Sequence, residues 1–151
     1  MGVKDLLLNK GWAGRTISRA ETIDRVNPVL RELTVLMHTY DAAARHLGAE
    51  APASMAPSQR TLRGDLGHLA ETVYSAGGAA YTGVNLEPDE FHVVGTTIDV
   101  SRALIEAEER FAKRLLEEKA VEHQMRTRAV IANVATHSAE RLKLAREIGR
   151  L

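Results

Sequence analysis

The stretch that decides the fold is Ser101–Arg146, SRALIEAEERFAKRLLEEKAVEHQMRTRAVIANVATHSAERLKLAR, forty-six residues without glycine or proline. It is rich in Ala, Glu, Leu, Arg and Lys, all strong helix formers. Unbroken, it would form a rod of about 70 Å. Leu104, Phe111 and Leu115 share one face of that helix, and Ile131, Val134, Leu142 and Ala145 share another. At roughly 100° per residue the two faces lie about 160° apart. Between them runs Glu117–Arg128, EEKAVEHQMRTR, polar but still helix-forming. Two readings follow. Either the chain turns within 117–128 and makes four antiparallel helices, or one long helix offers opposite faces to two partners and another subunit must cover it.

Proline and glycine cut the rest into helical stretches over 18–47 and 58–76. Ser18-Arg19-Ala20-Glu21 has capping-box spacing. Ile23, Val26, Leu30, Leu33, Met37, Tyr40, Ala44 and Leu47 then alternate steps of 3 and 4, an uninterrupted helical period. Pro28 falls inside this run, as a kink or as the first residue of a restarted helix capped by Asn27. Gly48 is the stop, and Gly48–Pro57 reads as a loop. Ser58 is the expected cap of the next helix, with Leu62, Leu66, Leu69 and Val73 as its seam and Gly77-Gly78 as its end. Residues 77–88 read as a connector. Residues 91–100, FHVVGTTIDV, have a strand-like composition, but an isolated strand would have nothing to pair with, so helix is the better reading. The expected architecture is a single all-α domain over 1–151. It is an elongated bundle of three to four helices, with an N-terminal segment 1–17 and a long C-terminal helix over about 97–148.

The chain has 151 residues, twenty basic and twenty acidic side chains, and no cysteine. The absent thiols exclude disulfides, thiolate nucleophiles and thiolate-bound metal. A balanced charge and 4% aromatic residues argue against nucleic-acid binding. No apolar run reaches membrane-spanning length, and the N-terminus has neither a signal-peptide pattern nor the serine or threonine that myristoylation wants at position 6. The default expectation for the location is the cytoplasm or the inside of a macromolecular assembly.

Six histidines raise the question of a metal. Carboxylate-bridged helical bundles place Glu and His three residues apart on facing helices. Here His38 precedes Asp41, Asp65 and Glu71 flank His68, Asp89 precedes His92, and His137 precedes Glu140. The order Glu-x-x-His is missing, and His68 and Glu71 point away from the Leu62 seam. The resemblance to ferritin-like di-iron proteins is one of architecture only. As an alternative reading, His38, Asp41, Glu108, His137 and Glu140 would hold iron or another divalent metal in a storage protein or oxidoreductase. Glu108 lies about 40° from Leu104 and 20° from Leu115, inside the seam. A carboxylate buried there needs a partner, and the expected one is an arginine of a neighbouring helix setting the register.

No phosphate loop, nucleophile elbow or zincin motif occurs in the chain. The leading expectation is a non-enzymatic structural protein, with coiled-coil-like packing, that assembles with itself or with other proteins of a complex such as a virion-type particle. The interface would comprise Leu104, Phe111, Leu115, Ile131, Val134 and Leu142, with Trp12 as an anchor on the bundle end or on a neighbouring subunit.

Overall fold

A computed structural model describes residues 16–151. Trp12 and most of the N-terminal segment lie outside the described residues. Among those described there are four α-helices and no strand: α1 (Arg19–Leu47), α2 (Met55–Ser75), α3 (Thr97–Lys119) and α4 (Met125–Ile148). None is long and apolar enough to cross a membrane.

The start of α1 follows from its capping box, in which Ser18 Oγ accepts from the Glu21 amide at 3.1 Å and Glu21 Oε1 accepts from the Ser18 amide at 3.3 Å. Pro28 does not divide the helix, and Asn27 caps nothing. Its side chain instead binds the connector on both sides, donating to the Ala79 carbonyl at 3.0 Å and accepting from the Tyr81 amide at 2.9 Å. Gly48 ends α1 at φ +54°, a conformation that favours glycine. The second helix begins three residues earlier than Ser58. Pro57 sits in its first turn, where a missing N–H costs no helical hydrogen bond. It ends as expected, with Gly77 at φ +88° and the Gly78 amide donating back to the Val73 carbonyl at 3.0 Å.

Residues 91–96 are not helical. Phe91 to Gly95 run as a loop whose Phe91 ring stacks on His38 at 4.8 Å, and helix begins only at Thr97, capped by Thr96 and Asp99. The long C-terminal helical span is present in two pieces, α3 and α4, because the chain turns at Ala120–Gln124. No residue but glycine has a positive φ among the described residues, so this reversal requires neither glycine nor proline. That is why the sequence carries no punctuation there.

The helices form a closed square in which α1 packs on α2 and α3, and α4 packs on the same two. Cross-links fix the directions. Arg25 meets Glu118 at one end, while His46 meets the Gly95 carbonyl at the other, so α1 and α3 are antiparallel. Ser101 donates to the Ala145 carbonyl at 2.7 Å, so α4 opposes α3. One cleft lined by Ser54 and Pro57 at the start of α2 and by Leu144 and Glu147 at the end of α4 shows that α4 opposes α2 as well. The result is an up-down-down-up bundle with one long crossover, residues 76–96, the connection pattern that ferritin-like bundles use.

The two faces read as opposed now look into one core. Leu104, Phe111, Leu115, Ile131 and Val134 are each at most 3% exposed within this chain. Folding α4 back on α3 buries both stripes inside the chain, so they are not the two opposed interfaces expected from the sequence; only Phe111 still reaches a surface opening, between α1 and α3. Leu142 is half-buried and stands outside the core cluster. The observed α4 seam is Thr127, Ile131, Val134, Ser138, Arg141, Ala145 and Ile148.

The reversal has a direct check. Spin labels on the exposed positions Arg102 and Arg146, introduced as cysteines into a chain without native cysteine, should lie roughly 20 Å apart or closer, as on adjacent antiparallel helices. A continuous helix would hold them about 66 Å apart.

Candidate functional site: the polar centre of the bundle

Three seam positions near the middle of α3 and α4 are polar: Glu108, Ser138 and Arg141. Glu108 is 0% exposed and Arg141 1%. Their ion pair is bidentate, with Arg141 Nε donating to Glu108 Oε1 and Nη2 donating to Oε2 at 3.5 Å. Ser138 Oγ donates to Oε2 at 2.8 Å. From α1, the Tyr40 ring lies 6.0 Å from the guanidinium carbon, and its hydroxyl donates to the Arg141 carbonyl at 3.4 Å. Burial, reinforced by the Glu108 charge, pushes the Tyr40 hydroxyl far above its ordinary pKa, so it stays a donor. Arg141 Nη1 is buried and has no hydrogen-bond partner among the described residues.

The register-setting partner expected for Glu108 is thus Arg141. The sequence reading does not single out Arg141 as that partner. The missed signal was the α4 period itself, which alternates steps of 4 and 3 through Ser138 and Arg141 as regularly as through the apolar positions.

The alternative metal ligands do not converge. His38 stacks on Phe91. Asp41 accepts from Gln59 Nε2 at 2.8 Å and from Arg63 Nη2 at 2.6 Å. Glu108 is occupied by Arg141 and Ser138. His137 sets Nδ1 2.9 Å from both oxygens of buried Asp65, a pairing across α2 and α4 that the sequence did not suggest. Glu140 is exposed and lines a shallow cleft of about 350 Å³ between α2 and α4. The chain turns as a metal-binding bundle would need. Its carboxylates and imidazoles are nevertheless spread over separate partners, and among the described residues no three of them gather closely enough to hold a metal ion.

A second polar cluster closes the end of the bundle at the α3–α4 turn. Arg25 donates from Nε and Nη2 to the two oxygens of Glu118, each at 3.0 Å. His123, 0% exposed, places Nε2 2.9 Å from Glu118 Oε1. The turn is further tied by Arg128 Nε to the His123 carbonyl at 3.0 Å and by the Ile17 amide to the Glu122 carbonyl at 2.9 Å. Burial raises the Glu118 carboxyl, but the hydrogen bonds and charges of His123 and Arg25 outweigh it and hold it below the ordinary 4.5.

No known protein family, curated protein or solved structure matches the chain.

Truncating Arg141 strands a charge in the core, so Arg141→Met should cost about 3–5 kcal/mol in urea unfolding. The double variant Glu108→Leu/Arg141→Met should recover to within about 1 kcal/mol of wild type or exceed it. For Glu118, whose folded pKa is depressed, stability is complete above the ordinary 4.5 and is lost as pH falls through the folded value. Urea midpoints measured from about pH 6 to 3 should therefore fall less steeply for Glu118→Gln than for wild type.

Proposed function

We propose that this chain is a non-enzymatic helical protein that acts by association, as a homo-oligomer or as a structural part of a larger complex. The reading rests on one observation, the open groove of about 550 Å³ between α1 and α3. Its floor is apolar, formed by Leu36, Phe111, Val93 and Ala107, with Val35 37% exposed along it. An apolar floor rimmed by charged side chains is the surface pattern of protein–protein contact.

The interior supports the same reading from the other side. Glu108 and Arg141 neutralise one another, and the seam around them is packed with Leu33, Leu62, Leu69, Leu104 and Leu115, each at most 2% exposed. A substrate would have to displace this packing to reach the centre. The overlong helix that suggested assembly at first is not part of the support, because its two faces cover one another.

Light scattering coupled to size exclusion at micromolar concentration tests the proposal. The expected mass is at least twice the 16.5 kDa of the chain. A monomer at that concentration would remove self-association as the mode of action.

A further inference from the structure

The groove between α1 and α3 is electrically lopsided along its length. The antiparallel helices are in a register that brings Glu32 to Arg114 at 3.3 Å. Arg31, Arg110 and Arg114 therefore lie toward the end of the bundle that carries the α3–α4 turn. Glu106 and Ala103 lie toward the other end, with Thr39, His92 and Val93. The acidic turn Pro88–Glu90 is separated from His92, at that second end, by Phe91 alone. Arg114 is committed to Glu32 and Glu117, whereas Arg31, Arg110 and Glu106 are exposed and form no ion pair among the described residues. One half of the groove thus offers unpaired positive charge and the other unpaired negative charge, across an apolar middle at Val35, Leu36 and Ala107.

A surface with that pattern is complementary to itself when turned end over end. A two-fold axis through its middle lays the basic half of one copy on the acidic half of the other, the geometry of an isologous dimer. Shape agrees with charge. Arg31, Val35 and Thr39 recur at steps of four along the α1 edge, a ridge of the kind that seats in a helix–helix groove. Ala103 and Ala107, also four apart, keep the α3 edge low, so that α3 of the two copies can approach closely enough for their charges to meet.

We infer that the α1–α3 groove is the site at which a second copy of this chain docks in antiparallel orientation, with Arg110 of each copy against Glu106 of the other and the two Val35 side chains beside the axis. The inference rests on the association reading and adds to it the surface, the partner and the orientation.

Charge reversal tests the pairing with exposed residues only. Arg110→Glu and Glu106→Arg should each weaken the dimer at least about tenfold in sedimentation equilibrium, because each sets like charges opposite one another twice per dimer. The swap Glu106→Arg/Arg110→Glu should restore it, which a loss of folding or a non-specific charge effect would not do. The chain has no cysteine, so a Val35→Cys variant gives a second and independent readout. On oxidation it should form a covalent dimer, while Leu116→Cys, 67% exposed beyond the groove, should not. If the wild type is dimeric and both reversals leave its mass and affinity unchanged, the assigned face is wrong and the association reading survives. If the wild type stays monomeric at a hundred micromolar, the inference falls, and with it self-association as the mode of action.

Discussion

Two opposite charges buried at the same level of α3 and α4 constrain the rest of the molecule. Glu108 and Arg141 have no water to turn to, so each must find the other. Sliding α4 by one helical turn, about 5.4 Å, would strand both. An apolar seam tolerates such a slip, because one leucine replaces another at similar cost, but a buried ion pair does not. The pair therefore acts less as a source of net stability than as a selector of one register. Ser138 and Tyr40 tie that selection to α4 and α1.

The ends of the bundle convert register into topology. Where the α3–α4 turn lies, Glu118 is held by Arg25 and His123, which binds α1 to the reversal. At the opposite end Ser101 donates to the Ala145 carbonyl, and a Cβ on Gly149 would stand 2.7 Å from Ser101 Oγ, so glycine permits the close approach of the last turn. With both ends and the middle pinned, the 76–96 segment has to cross the length of the bundle. Asn27 holds its start and the His38–Phe91 stack its later part.

This arrangement separates connectivity from chemistry. The bundle connects its helices as ferritin-like proteins do, and at its centre Glu108 and Arg141 are paired with each other. Because the interior is neutralised and packed, what the protein offers to other molecules lies on its outside. The α1–α3 side carries an opening with an apolar floor, larger than the α2–α4 cleft, which is lined chiefly by hydroxyl and charged side chains.

The sequence by itself determined the all-helical class, the cap and stop of α1, the glycine end of α2 and much of the seams, because these depend on contacts within a turn or two. The 3–4 alternation from Ile23 to Leu47, the Ser18 capping box, the Gly48 stop and the polar seam position of Glu108 are all local facts. Local rules also erred locally, at Pro57 and over 91–96, where a proline in a first turn and a loop stacked on His38 both depart from composition. Tertiary structure alone decided that α4 folds back on α3. A reversal built entirely from negative φ angles leaves no glycine or proline to read, and EEKAVEHQ is as good a helix as a turn until Arg25 and His123 close on Glu118. It also decided which arginine answers Glu108 and which carboxylate answers His137, since ion-pair partners thirty-three and seventy-two residues apart share no pattern along the chain. A charge declares in sequence that it needs a partner. Only packing brings one within reach.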